Sequence, residues 1–144
     1  MRDVLGPLLR ELGLRGSGRQ YSLPSETHWA LIGLQTSKWS TAKSVEFTVN
    51  VTVVARDAWL RWRELEPYND ERPLANVSYG PVPRGMDPAL GATYWHERLG
   101  QLMPEHRDRW WELQAGRDST SVARDVATAI RDHALPEVRK RIAG

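Results

Sequence analysis

Residues able to do acid–base or metal chemistry are few and scattered. The four histidines, His28, His96, His106 and His133, stand far apart. His96 with Glu97, and Glu105, His106 and Asp108, set an imidazole beside carboxylates, but neither group has the spacing of a known ligand or general-base motif, and ordinary surface hydrogen bonding accounts for both. Serines occur without a G-x-S-x-G elbow. With no cysteine, disulfides, thiol catalysis and thiolate-built metal sites are excluded. No cofactor or metal is expected.

Recognition is better provided for than catalysis. In VEFTVNVTVV, Val45, Phe47, Val49, Val51 and Val53 fall on one side of a period-two pattern and Glu46, Thr48, Asn50 and Thr52 on the other. Asparagine is a poor strand former where threonine is a good one, so Asn50 in mid-strand needs a reason. It serves recognition, or it bridges strands. If the preceding apolar stretch pairs antiparallel with this one, Gln35 and Ser37 share a sheet face with Thr48 and Asn50. The adjacent Trp110 and Trp111 must point to opposite faces of any strand that holds them, so one joins the core and the other reaches the polar face. Amides and hydroxyls beside one indole make a platform for a small ligand or peptide. The competing expectation is a solvated face, since antiparallel sheets commonly keep one side wet.

The elements that must position these residues follow from periodicity. Val4, Leu5, Leu8, Leu9 and Leu12 recur at helical spacing, with Asp3 as a cap, Pro7 in the first turn and Gly13 as a stop. RGSGRQYSL reads as a turn feeding a short strand, and HWALIGLQ, apolar nearly throughout, as a strand in mid-sheet. With the alternating stretch they form a three-stranded antiparallel meander within residues 18–55. RDAWLRWRELEP predicts a short middle helix capped by Asp57. Residues 67–91 hold five of the nine prolines and read as a long loop, open to proteolysis. TYWHERLGQLM and RWWELQ, joined by PEHRD, predict a second hairpin. Val122, Val126, Ala129, Ile130, Val138 and Ile142 mark a long C-terminal helix, broken or kinked at Pro136. The fold class is therefore α+β: one domain over residues 1–144, an antiparallel sheet of about five strands with the helices on one face.

The 144 residues suffice for one core. A formal charge of +2 leaves no strong field to recruit nucleic acid or anionic membrane. Arg15, Arg19, Lys38 and Lys43, interleaved with Tyr21 and Trp39, have the composition of a weak nucleic-acid patch, with soluble loop charge as the plainer account. MRDVLGPLLREL has no apolar run of signal length and nothing later approaches membrane-spanning length, so a cytoplasmic protein without membrane association is expected.

LGPLLRELGLRGSGRQY, LQTSKWSTAKSVEFTVNV and RLGQLMPEHRDRWWEL, in this order and at these separations, resemble the bacterial family called domain of unknown function 4304. The resemblance covers residues 4–55 and 98–113 and, loosely, the final helix. It implies that Gln35, Ser37, Trp39, Asn50, Gly100, Pro104, Trp110 and Trp111 stand at motif positions, and it imports no activity. The chain departs from the family at Gly16 and Ser17, where members tend to be more basic, and at His106, where they usually carry glycine. A non-catalytic binding or protein-interaction domain, with an unknown protein or small ligand as partner, is the first reading. Proteins that neutralise toxins by binding are one subset of it. An enzyme using the polar sheet face comes second and a nucleic-acid-associated protein third.

Overall fold

The computed structural model describes residues 2–65, 73 and 94–144. The expected loop over 67–91 lies, apart from Pro73, outside the described residues. Helix α1 (Arg2–Glu11) leads into the short strands β1 (Arg15–Ser17) and β2 (Gln20–Ser22), then β3 (His28–Thr36), β4 (Ser44–Ala55) and helix α2 (Arg56–Leu65). After the undescribed stretch come β5 (Trp95–Arg98), a helical turn α3 (Leu99–Leu102), β6 (Trp111–Gln114), α4 (Thr120–Ala129), a π-helical turn (Ile130–Ala134) and α5 (Leu135–Ala143). The result is an α+β domain with one antiparallel sheet in the order β1-β2-β3-β4-β5, β6 also pairing with β4.

The predicted meander is present, preceded by β1, which pairs with β2 around a turn holding Gly18 at φ 68°. Positive φ is cheap only without a Cβ. Helix α1 begins at Arg2, so Pro7 falls beyond its first turn and leaves the carbonyl of Asp3 without its helical amide partner. In the C-terminal helix the expected break at Pro136 takes the form of the π turn immediately before it. Proline has no N–H for the carbonyl four residues back, and a wider turn there lets the helix continue.

The second hairpin does not form. β5 pairs with Asn50–Val53 and β6 with Ser44–Phe47, both antiparallel to β4. Two strands antiparallel to the same partner run in the same direction and cannot form a hairpin with each other. They lie end to end along one edge of β4, and residues 99–110 form an excursion between them. LGQLM, expected to be strand, contains the turn α3, because Gly100 is pressed against the returning chain. A Cβ built there would lie 2.2 Å from the carbonyl oxygen of Arg107 and 2.6 Å from the amide of Arg109. His106, in the same excursion, has φ 50°. That is the left-handed region glycine occupies freely, which gives a physical reason for glycine at this position. Here the His106 ring lies 3.0 Å from the carbonyl of Gln101 through Nδ1.

The main core lies on the valine side of β4. Phe47, Val49, Val51 and Val53, with Ala30, Ile32 and Leu34 of β3, pack under Leu5 and Leu9 of α1 and under Ala123, Val126, Ile130, Leu135 and Val138 of the C-terminal helix. A separate cluster joins Val54, Ala58, Trp59 and Trp62, so α2 packs through its two indoles, whose centroids are 4.9 Å apart.

Candidate functional site

Register puts the predicted polar residues on one face in three rows. Gln35 stands opposite Thr48, Gly33 opposite Asn50 and Leu31 opposite Thr52; across the other edge of β4, Arg98 faces Asn50 and His96 faces Thr52. Trp110 directly precedes Trp111, the partner of Phe47, and so continues the Thr48 row.

This face is not wet. Thr48, Asn50 and Thr52 are each 0% exposed, which overturns the expectation of a solvated side. β4 has strands on both edges, and each of these polar side chains finds a partner on a neighbouring strand or on the segment before β6. The hydroxyl of Thr48 donates to the carbonyl of Arg109 at 2.6 Å. Asn50 Nδ2 donates to Gln35 Oε1 at 2.9 Å. Its direct neighbour Gly33 has no side chain, so the amide meets the diagonal Gln35 and ties β4 to β3. Thr52 Oγ1 lies 2.8 Å from His96 Nδ1. At the β2 end of the same face, Gln20 Nε2 reaches the carbonyl of buried Pro73 at 3.5 Å.

The two tryptophans separate as their adjacency requires. Trp111 is buried, stacks on Phe47 at 6.0 Å between centroids, and donates its indole N–H to Asp125 at 2.7 Å. Trp110 is half-buried and belongs to the polar side. Its indole N–H donates to Asp108 Oδ2 at 2.9 Å, and the Arg98 guanidinium lies 5.2 Å from its ring centroid. Arg98 also donates to Asp108 Oδ2, at 2.5 Å. One carboxylate oxygen thus holds a cation and an indole in fixed relation. Arg98 was not among the sequence candidates, and Asp108 was considered only with Glu105 and His106 as an acid–base or metal group. Arg98 could have been found only from the register of β5, which the expected hairpin misassigned.

Ser37 lies beyond the end of β3. Its Oγ accepts the amide of Trp39 at 3.1 Å, shaping the β3–β4 turn that leaves Trp39 79% exposed. The proposed basic patch is not assembled as written, because Tyr21 is in the core at 2% exposure and Arg15 pairs with Ser22, away from the turn bearing Lys38 and Lys43. Glu105, His106 and Asp108 build no metal site: among the described residues no group of three or more His, Cys, Asp or Glu could hold an ion. The Thr52–His96 contact places a hydroxyl against an imidazole, but Thr52 is sealed from solvent. Burial pushes the Tyr94 phenol well above its ordinary value, and its hydroxyl has no hydrogen-bond partner among the described residues.

The fold and face together define an α+β domain whose polar side chains hold strands together in its interior and emerge beside Trp110. Residues 5–140 match the family model described as Domain of unknown function (DUF4304), and the chain belongs to that family. No curated protein and no solved structure matches it. Among the described residues no helix is long and apolar enough to cross a membrane.

Proposed function

We propose that this protein is a non-catalytic binding domain whose recognition surface is the open end of the polar face, with Gln35 and Trp110 as its contacts. One observation carries the reading: Trp110 is half open to solvent yet held by Asp108 and Arg98, on the row it shares with Thr48 and Gln35. An indole already held by a carboxylate and a guanidinium loses little freedom when it meets a partner, which is the character of an interface anchor. Thr48 and Asn50 act behind this surface. Thr48 fixes the backbone at Arg109, one residue before the indole, and Asn50 orients the Gln35 amide. Trp111 and Ser37 serve by position, anchoring the excursion to the core and shaping the turn after β3. The fitting partner is a protein segment or small ligand with an apolar surface and exposed amide or carbonyl groups; neutralising a toxin by binding is one such use. The cysteine-free sequence fits a reducing, cytoplasmic setting.

Crosslinking in cells followed by affinity recovery tests this, comparing wild type with Trp110→Ala and Gln35→Ala. Partners recovered with wild type should fall at least tenfold with Trp110→Ala while its thermal melt stays cooperative. Equal recovery from a folded Trp110→Ala variant would remove this surface from consideration.

A further inference from the structure

At the other end of the sheet, α5 closes a cleft of about 450 Å³, within the range of small-molecule sites. Val53 and Trp95, paired across β4 and β5, supply apolar surface; His28 and Tyr94 border it, Glu137, Lys140 and Arg141 of α5 line it from the helix side, and Gly144 closes one end. The Arg141 guanidinium lies over the Trp95 ring at 4.0 Å from its centroid. Its Nε stands 3.8 Å from Glu137, too long for a hydrogen bond, and it donates none to the described residues. A guanidinium held over an indole, ion-paired with Glu137 without a hydrogen bond to it, keeps its forked donors available in the geometry that matches a carboxylate. Among the side chains of the helix-borne wall, the two cations Lys140 and Arg141 outnumber the one carboxylate, Glu137.

We propose that this cleft binds a small organic monoanion, a carboxylate carried on a planar apolar body. The carboxylate accepts from the fork of Arg141 and from the Lys140 ammonium, while the apolar body lies against Val53 and Trp95. The inference is independent of the recognition surface at Trp110.

Titrating the full chain with benzoate, acetate and inorganic phosphate, and following the tryptophan indole N–H signals by NMR, tests it. Benzoate should move the Trp95 resonance and half-saturate at about 1 mM or below. Acetate, lacking the apolar body, should bind at least tenfold more weakly. Arg141→Gln should weaken benzoate at least tenfold and Lys140→Gln severalfold, with Arg139→Gln, exposed on the same helix, unchanged. Since Arg141 packs on Trp95, a melt of Arg141→Gln accompanies the titration, and Lys140→Gln supplies the test if that variant unfolds. No saturation by benzoate, phosphate binding as tightly as benzoate, or unchanged benzoate affinity in folded Arg141→Gln would each overturn the proposal.

Discussion

On one side of β4, Val49, Val51 and Val53 are buried against helices; on the other, Thr48, Asn50 and Thr52 are buried as fully, against hydrogen-bond partners. The first side is held by area and shape, which are non-directional. The second is held by three directed contacts whose partners come from β3, β5 and the segment before β6. Alternation along a strand therefore reports the chemistry of what each face meets. It does not report which face is wet. An apolar side can accommodate a slightly different shape by repacking, whereas a buried polar side tolerates loss of a partner poorly.

The largest expected effect lies on the valine side. Val49→Asp places an unpaired carboxylate where exposure is 0%, at a cost of several kcal/mol against a total stability of about 5–15. No cooperative thermal melt should remain, and a native melt would mean that Val49 is not buried as described. Gly100→Ala comes next. Its Cβ would meet backbone atoms of Arg107 and Arg109, so the excursion must shift, with a loss of about 1–3 kcal/mol in denaturant unfolding. Unchanged stability would show that residues 99–110 are not packed as described. Thr48→Val keeps shape and burial and removes only the bond to the Arg109 carbonyl. It should lose about 0.5–1.5 kcal/mol, and a gain would place that face under the same physics as the valine side.

The smallest effect lies outside both faces. Hydrogen bonds from the hydroxyl and amide of Thr120 hold the Asp118 carboxyl below its ordinary range. A depressed folded value means that the stabilisation is present above the unfolded pKa and fades as pH falls through the folded one. Urea melts at neutral and acid pH should therefore show Asp118→Asn destabilised at neutral pH and converging on wild type in acid. A constant difference would exclude the charge as its source.

Much of the scaffold was legible because its signals are local. The leucine spacing of α1, the alternation of β4, the apolar run of β3 and the valine and isoleucine spacing of the C-terminal helix each reflect one element meeting one core. The opposite fates of Trp110 and Trp111 followed from their adjacency alone. Pairing partners were not legible: both YWHER and WELQ read as strand, and nothing in either says that each must join β4 rather than the other. The burial of Thr48, Asn50 and Thr52 was hidden for the same reason, since it depends on residues brought in from 96 and 109. Nor does periodicity reveal that one oxygen of Asp108 gathers Arg98 and Trp110. The departure at His106 was a readable hint, because the family resemblance implies glycine there and glycine tolerates the positive φ found at this position.

Asn50 tests the contrast between the faces most directly, since on a polar but merely solvated face threonine would be the better strand residue by up to about 1 kcal/mol. In this structure Asn50→Thr removes the amide that joins β4 to Gln35 and leaves a hydroxyl too short to replace it. Denaturant unfolding of Asn50→Thr should show a net loss of about 1–3 kcal/mol with an unchanged slope. Stability equal to or above wild type would contradict the account of the polar side as a buried, hydrogen-bonded layer.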